Sequence, residues 1–417
     1  MKFVFADGEK LGVYENGKKT LFESAYIAKY KENALRLEKN KEWKKSTDVM
    51  MSDEYYFETE DESQVFAEIK SVALTADENK LLYSFCVNGT SGIYYKYTDD
   101  KEKTEAHFIS SNDVEFSDIY STKNGEMLGK IQKDYVTSNV ALFSKNGGDY
   151  KTLTAGDSLD ENPSFSKDGN VLFNSYAVGR DANNKFISYL PSEIYKLNLK
   201  TLDVEELVTS DVYSYIKPIE AEDKTLYCIR KPFDDEKEEN VFLQILLIPV
   251  RIVQAIVGFI SAFVMCFAKK PMISGQSARS IGNGGDAAKY GKADAKKIFV
   301  NNSLIQVDKE LKKNKKSEEY GFIPKSWKLV KLIPNEEGKF DECKEYELAS
   351  GVADFCLIEE NGEKTLIYTN GKRVFEVKDF GETGKKEKLF ETDFCLKVGG
   401  IQETNTQECD EDLFNAL

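Results

Sequence analysis

A single histidine, His107, serves the whole 417-residue chain. A hydrolytic triad sets an imidazole beside its nucleophile, so any such chemistry would rest on that one residue. Its neighbours, Glu105-Ala106-His107-Phe108-Ile109, read as an outer strand rather than a site. A histidine-rich zinc or iron centre is excluded by the same count. Carboxylates are plentiful, with 72 Asp and Glu against 57 Lys and Arg. Two of them are enough for glycoside hydrolysis, but no pair is set apart by its context. Gly282-Asn283-Gly284-Gly285-Asp286 has the glycines of a phosphate loop, but it follows no strand and lacks the Gly-Lys-Ser/Thr that would hold a phosphate. It reads as linker. The seven cysteines are odd in number, widely spaced and without a Cys-x-x-Cys pair, which fits neither a disulfide framework nor a thiolate metal site. Cys86, Cys228, Cys356 and Cys395 sit in apolar, strand-like runs as small core residues. No cofactor or metal is expected. The net charge of −15 argues against nucleic acid, whose phosphates require a basic face. The N-terminus meets a charged turn at Asp7-Gly8 without an apolar signal core, so a reduced, cytoplasmic setting is expected.

Internal repetition organises the chain. The clearest unit runs from Glu161-Asn162-Pro163-Ser164-Phe165 through Asp168-Gly169 to Val171-Leu172-Phe173, then Glu193 to Leu199 and Asp203 to Val208. It reads as four strands, with Asp-Gly supplying the positive φ of a tight hairpin. Similar units begin at Val72, Phe116, Lys217 and Ala353. At the N-terminus, Phe3-Val4-Phe5, Leu11 to Tyr14 and Thr20-Leu21-Phe22 give three strands of a sixth, and Phe394 to Val398 offers its missing first strand. Such a closure leaves no open sheet edge. The period of roughly 40–50 residues is that of propeller blades. The fold expected is therefore all-β: a propeller of six four-stranded blades closed by the N- and C-terminal strands.

The run Leu142-Phe143-Ser144 through Gly147-Gly148-Asp149-Tyr150-Lys151-Thr152-Leu153-Thr154, continuing into Asn162 to Gly169, resembles the repeat of TolB-like β-propellers. It also resembles the propeller domains of prolyl-oligopeptidase and dipeptidyl-peptidase relatives. Lys167 stands where that repeat usually has proline. No Gly-x-Ser-x-Gly elbow or hydrolase domain accompanies the repeats, so the resemblance implies a fold and not the peptidases' chemistry.

One blade is interrupted. Its second strand ends near Ile229-Arg230-Lys231-Pro232, and its third is expected from Ser326-Trp327-Lys328. The organisation is thus propeller at 1–232, insertion at 233–325, and propeller again at 326–417. Within the insertion, Val241 to Ala268 is apolar and a flexible linker is expected at 271–297. From Pro249 to Ala268 a helix would be about 30 Å long, enough to cross a bilayer. Gln244, Arg251, Gln254, Gly258 and Ser261 would share an arc of about 100° on such a helix, which suits a position in the interface. Spanning, in-plane and re-entrant arrangements all remain open. The residues expected to meet lipid are Phe242, Leu246, Pro249, Ile252, Val253, Ile256, Phe259, Ile260, Phe263, Val264 and Phe267. A second decoration, a charged helix over 25–45 with Ile27, Tyr30, Ala34, Leu37 and Trp43 at helical spacing, is expected to pack beside the first blades.

Propellers bind through the channel mouth, and Asp157, Asp160 and Glu161 precede the first strand of the clearest unit, which makes them ligand-binding candidates. The function expected is a non-enzymatic propeller that binds a protein or ligand, tethered to the cytoplasmic side of a bacterial membrane through residues 241–268. A protein partner is expected on the propeller face. The alternative is a carboxylate-based hydrolase of carbohydrate or peptide.

Overall fold

The computed structural model describes residues 1–47, 67–233, 297–401 and Phe414, apart from short stretches at 78, 88, 99–104, 182, 316–319, 341–342, 361–362 and 379–384. Side chains of the first helix are described as far as Leu37. The apolar run 241–268, with all eleven of its expected lipid-contacting residues, lies outside these residues, as does the 282–286 glycine run. Among the described residues no helix is long and apolar enough to cross a membrane. The chain divides into a unit of Met1–Pro232 with Asp286–Leu417 and a second unit, Phe233–Gly285. Only the first is described below.

That unit consists of six four-stranded antiparallel sheets and one small hairpin. Blade 1 begins the chain with β1 (Lys2–Asp7), β2 (Lys10–Glu15) and β3 (Lys18–Phe22), followed by α1 (Ala25–Thr47). Blade 2 is β4 (Glu68–Leu74), β5 (Lys80–Val87), β6 (Thr90–Tyr97) and β7 (Glu105–Ser111). Blade 3 is β8 (Glu115–Ser121), β9 (Met127–Gln132), β10 (Asn139–Phe143) and β11 (Tyr150–Thr152). Blade 4 is β12 (Ser158–Phe165), β13 (Val171–Arg180), β14 (Phe186–Leu197) and β15 (Val204–Val208). Blade 5 opens with β16 (Tyr213–Glu220) and β17 (Leu226–Pro232). Then come a hairpin, β18 (Lys297–Val300) and β19 (Ser303–Gln306), and α2 (Val307–Asn314), before β20 (Lys328–Ile333) and β21 (Lys344–Ser350) complete the blade. Blade 6 is β22 (Asp354–Glu360), β23 (Glu363–Thr369), β24 (Gly371–Lys378) and β25 (Lys385–Cys395). The last strand, β26 (Lys397–Gly399), returns to pair with Val4–Ala6 of β1 and completes blade 1.

The expected closure is therefore present, but with a shorter strand. Phe394 and Cys395 finish β25, and only Lys397–Gly399 joins blade 1. Leu396 falls between the two strands and ends the run.

Turns follow the chemistry that selects them. Asn16 and Gly17 both take positive φ, 50° and 84°, as a two-residue hairpin turn requires. The core is divided among the blade interfaces. Phe3, Phe5 and Tyr14 of blade 1 pack on Cys356, Ile367 and Val374 of blade 6. Val4 and Val13 face Val72 and Tyr83 of blade 2. Leu82 and Ile93 meet Phe116 and Phe143 of blade 3. Leu142 meets Phe165 and Phe173 of blade 4, Leu172 meets Tyr215 and Cys228 of blade 5, and Ile229 meets Leu357 and Tyr368 of blade 6. Apolar packing thus runs around the whole ring, which explains why strands alternate weakly and are buried on both faces.

Burial pushes the Cys356 and Cys395 thiols up to about 12. The nucleophile is the thiolate, so neither is expected to react with a thiol reagent at pH 8 until the protein unfolds, whereas both should react in urea. Because these values are raised, the folded state holds protons that the unfolded state releases. The associated stability is present below the ordinary thiol range and is lost as pH rises toward 12.

α1 is anchored on blade 2. The Ser24 hydroxyl accepts from the Ile27 N–H at 3.1 Å as an N-cap, and the Glu105 carboxylate accepts from the N–H groups of Ala25 and Tyr26 at 3.1 and 2.9 Å. Ile27 and Ala34 are buried with Tyr26 and Tyr30 against the blade. Leu37, expected on the same stripe, is 57% exposed instead. It lies about 15 Å along the axis from Ile27, and among the described side chains the packed stripe ends at Ala34. Trp43 lies outside the described side chains.

Candidate functional site: the central channel

Each blade contributes its innermost strand to the channel wall, and a repeated irregularity shapes it. The pairing of inner with second strand shifts register between Ile69 and Ser71, Ser117 and Tyr120, Glu161 and Ser164, and Ile216 and Ile219. In the last three bulges one residue takes left-handed backbone: Asp118 at φ 49°, Asn162 at 49° and Lys217 at 56°. Asp and Asn tolerate this region, whereas lysine pays a strain cost of order 1 kcal/mol or more there.

A bulge frees backbone N–H groups from the ladder. Here the preceding blade accepts them. The Ile119 N–H donates to Ser71 Oγ at 3.1 Å, the Asn162 N–H to Asp118 Oδ2 at 3.5 Å, and the Lys217 N–H to Asn174 Oδ1 at 3.1 Å. The Val398 N–H donates likewise to Asp354 Oδ2 at 2.9 Å, fastening the closing strand to blade 6. One device thus both turns polar side chains toward the axis and stitches blade to blade.

The charges facing the channel neutralise one another. Lys130 Nζ lies 2.8 Å from Glu161 and 3.7 Å from Asp118. Lys397 Nζ is 3.5 Å from the other oxygen of Asp118, and Lys217 pairs closely with Asp354. Burial would raise the Asp118 carboxyl, but Lys130, Lys397 and Lys217 outweigh it and hold the group below the usual carboxylate range. Burial likewise opposes the charge on Lys130, and Glu161 with Asp118 outweighs it, so the ammonium is held more firmly than in water. The wall encloses a cavity of about 60 Å³, bounded by Asp118, Asn162, Lys217, Asp354 and Lys397 among others. That is room for waters, against the roughly 300–1,000 Å³ of ordinary ligand pockets.

Both ends of the wall carry further contacts. Where the inner strands begin, the β18–β19 turn reaches in: Asn302 Nδ2 donates to Glu161 Oε2 at 2.8 Å, and Asn301 Nδ2 donates to the Ala353 carbonyl at 2.8 Å. Both asparagines have positive φ. Lys231 bonds the Asn301 carbonyl and Ser303 Oγ, and its ammonium lies over the rings of Tyr176 and Trp327. Where the inner strands end, Lys167 Nζ meets Glu359 at 2.7 Å while its N–H donates to Glu220 at 2.7 Å. The lysine that replaces the repeat's usual proline therefore links blades 4, 5 and 6.

The three sequence candidates take different places. Asp157 is exposed and paired with Arg180. Asp160 is buried and accepts from Ser175 Oγ at 2.6 Å. Glu161 is the one among the channel charges. Asp118, Lys130, Lys217, Asp354 and Lys397 are not marked in the sequence because they lie at bulges, on a second strand or at strand ends spread over four blades, with no common spacing. The signal available was Asp118 and Asn162, residue types that tolerate positive φ in the middle of an inner strand; Lys217 carries no such signal. His107 sits on β7, the outer strand of blade 2, 2.9 Å from Ser110 Oγ. Among the described residues no group of three His, Cys, Asp or Glu is placed to hold a metal ion.

No protein-family model matches the chain, and no curated protein matches its sequence. Solved structures resemble it in fold. TolB from Acinetobacter baumannii aligns at 11% identity with a TM-score of 0.48, over 95% of this chain and 65% of that one. The chain thus spans less than two thirds of that structure's length. A putative TolB from Agrobacterium tumefaciens aligns at 9% identity with a TM-score of 0.39, over 79% and 89% of the two chains. The tricorn protease aligns at 11% identity with a TM-score of 0.39, over 95% of this chain and 34% of that one. The likeness is to TolB and to peptidase propeller domains, and the six blades stand on the sheets themselves.

Proposed function

We propose that the protein is a non-enzymatic interaction propeller held at the cytoplasmic side of a bacterial membrane through residues 241–268. The observation that carries this is the apolar run Val241–Ala268, inserted in the sequence between the second and third strands of blade 5. Exposed to water, an apolar surface of that size exceeds what soluble monomers leave uncovered. Phe242, Leu246, Pro249, Ile252, Val253, Ile256, Phe259, Ile260, Phe263, Val264 and Phe267 are the proposed lipid contacts.

The hydrolase alternative has less support. A glycosidase needs one carboxyl raised enough to act as an acid. Asp118 is instead lowered by three lysines, and Glu161 and Asp354 each carry a lysine partner. The proposed role for these charges is to stiffen the ring that presents the loop face.

Flotation on vesicles of phosphatidylethanolamine and phosphatidylglycerol tests the attachment. The full chain is expected in the lipid fraction, and a variant lacking residues 234–296 is expected to lose at least about tenfold in partition while melting like the parent. Equal flotation of both chains would overturn the proposal.

A further inference from the structure

Blade 4 is longer than its neighbours on one side. β13 runs on past the start of β12, whose Ser158 pairs with Ala177, and continues with Val178, Gly179 and Arg180 against Tyr189, Ser188 and Phe186 of β14. β15 pairs with β14 only from Ile194 to Leu197. Among the described strands, none pairs with Phe186–Glu193 on the side away from β13. The result is a two-stranded finger with an open edge, at the end of the ring where the inner strands begin.

Native proteins blunt such edges with charge, proline or a cover. Here Pro191 and the Ser192 N–H, which donates to Ser214 Oγ at 3.0 Å, close the base of the edge, but Phe186, Ile187 and Leu190 beyond it are 41%, 63% and 50% exposed. The finger is nevertheless held in place from the inner side. Tyr189 donates to the Val136 carbonyl at 2.8 Å and packs edge-on against Tyr176 and Phe186, while Arg180 is clasped by Asp157. A rigid apolar edge is a surface already organised to accept a strand.

The surroundings select the charge of that strand. Glu205, Glu206 and Asp211 are exposed on β15 and the loop after it, and Glu193 lies at the base of the open edge. Of the cations on β14 and its turn, Lys196, opposite Glu205 in the ladder, is engaged by Asp168 at 2.5 Å, and exposed Lys185 stands at the tip of the finger, at the end away from these carboxylates. We propose that the open edge of β14, Phe186–Leu190, binds an extended, basic segment of a partner protein by strand addition. Backbone bonds to β14 would hold the segment, apolar side chains would cover Phe186, Ile187 and Leu190, and lysines or arginines would meet the acidic rim. This deepens the interaction role proposed above and rests on it, but makes no use of residues 241–268.

The test uses the full chain and a capped nine-residue peptide alternating valine with lysine, followed by fluorescence anisotropy and hydrogen exchange. Saturable binding is expected, weakened by salt, with slowed exchange at amides of 186–190. Ile187→Lys, which places a charge on the edge, is expected to weaken binding at least tenfold. Glu205→Lys with Glu206→Lys is expected to weaken it about fivefold and to flatten the salt dependence. Both variants lie at exposed positions and should melt like the parent; a Leu190→Ser variant gives a milder check should either fail to fold. Three results would overturn the proposal: no binding at millimolar peptide, unchanged affinity in the variants, or a parent dimer that Ile187→Lys dissociates, which would make a second copy the occupant. Flotation that survives in Ile187→Lys while peptide binding fails separates this site from the membrane attachment.

Discussion

Gly399→Val is expected to destabilise the ring by about 3 kcal/mol, the upper end of overpacking effects. Gly399 lies in β26 opposite Val4. A Cβ there would meet the Val72 carbonyl oxygen at 2.0 Å, its carbon at 2.8 Å and Ala73 Cα at 3.0 Å. All three are backbone atoms of β4, so no rotamer relieves the clash. Blade 1 would have to move off blade 2, or β26 would have to leave β1. Either breaks the seam where the two ends of the described chain meet. Gly400→Ala is the control, since its Cβ would find Cys356 Sγ and the Leu357 carbonyl at 3.5 Å. It should shift the urea midpoint by the equivalent of less than about 1 kcal/mol. Equal midpoints for Gly399→Val and the parent would mean that β26 is not tightly seated.

Lys130→Met is expected to cost about 3–5 kcal/mol, the range for removing one partner of a buried ion pair. Lys130, Glu161 and Asp118 have side chains only 12%, 8% and 8% exposed. Without the ammonium, Glu161 keeps the bond from Asn302 Nδ2, and Asp118 keeps Lys397 at 3.5 Å with Lys217 farther off. Adding Glu161→Gln should recover a large part of the loss, because the stranded charge is then gone. The sign with pH follows from Asp118. Its carboxyl is lowered in the folded state, so its contribution is present above the ordinary aspartate range and disappears as pH falls through the lowered value. Lys130→Met removes part of that lowering. The gap between parent and variant in urea titrations is therefore expected to be largest near neutrality and to narrow in acid. A gap that widens in acid would contradict the assignment.

Much of the fold is legible in the sequence because it depends on local chemistry. Asp168-Gly169 and Asn16-Gly17 announce hairpins by the φ they permit, and aromatic, β-branched runs between them announce strands. Repetition supplies the rest, since each blade must bury both faces against the next. The closing strand is legible in kind but not in extent: Phe394 to Val398 is one strand-like run, and only the register with β1 divides it between β25 and β26. The helix at Ala25 is legible from its spacing, but the exposure of Leu37 is set by where blade 2 ends beneath the described side chains. The channel was largely illegible. Glu161 stood out beside a recognisable repeat, whereas Asp118, Lys217, Asp354 and Lys397 come together only when the inner strands converge from separate blades. Their partners are chosen by tertiary geometry, which no local pattern encodes. The hairpin Lys297–Gln306 is not legible because the glycine-rich composition before it suggests linker up to Lys297, and a four-residue strand pair is a weak signal.

Hydrogen exchange on the intact chain, with and without vesicles of phosphatidylethanolamine and phosphatidylglycerol, tests the proposed function most directly. A ring stiffened by its own channel charges and attached through its insert should show new protection in peptides from 241–268 and unchanged exchange in the strands of all six blades. Altered exchange across the blade strands, with none in 241–268, would contradict it.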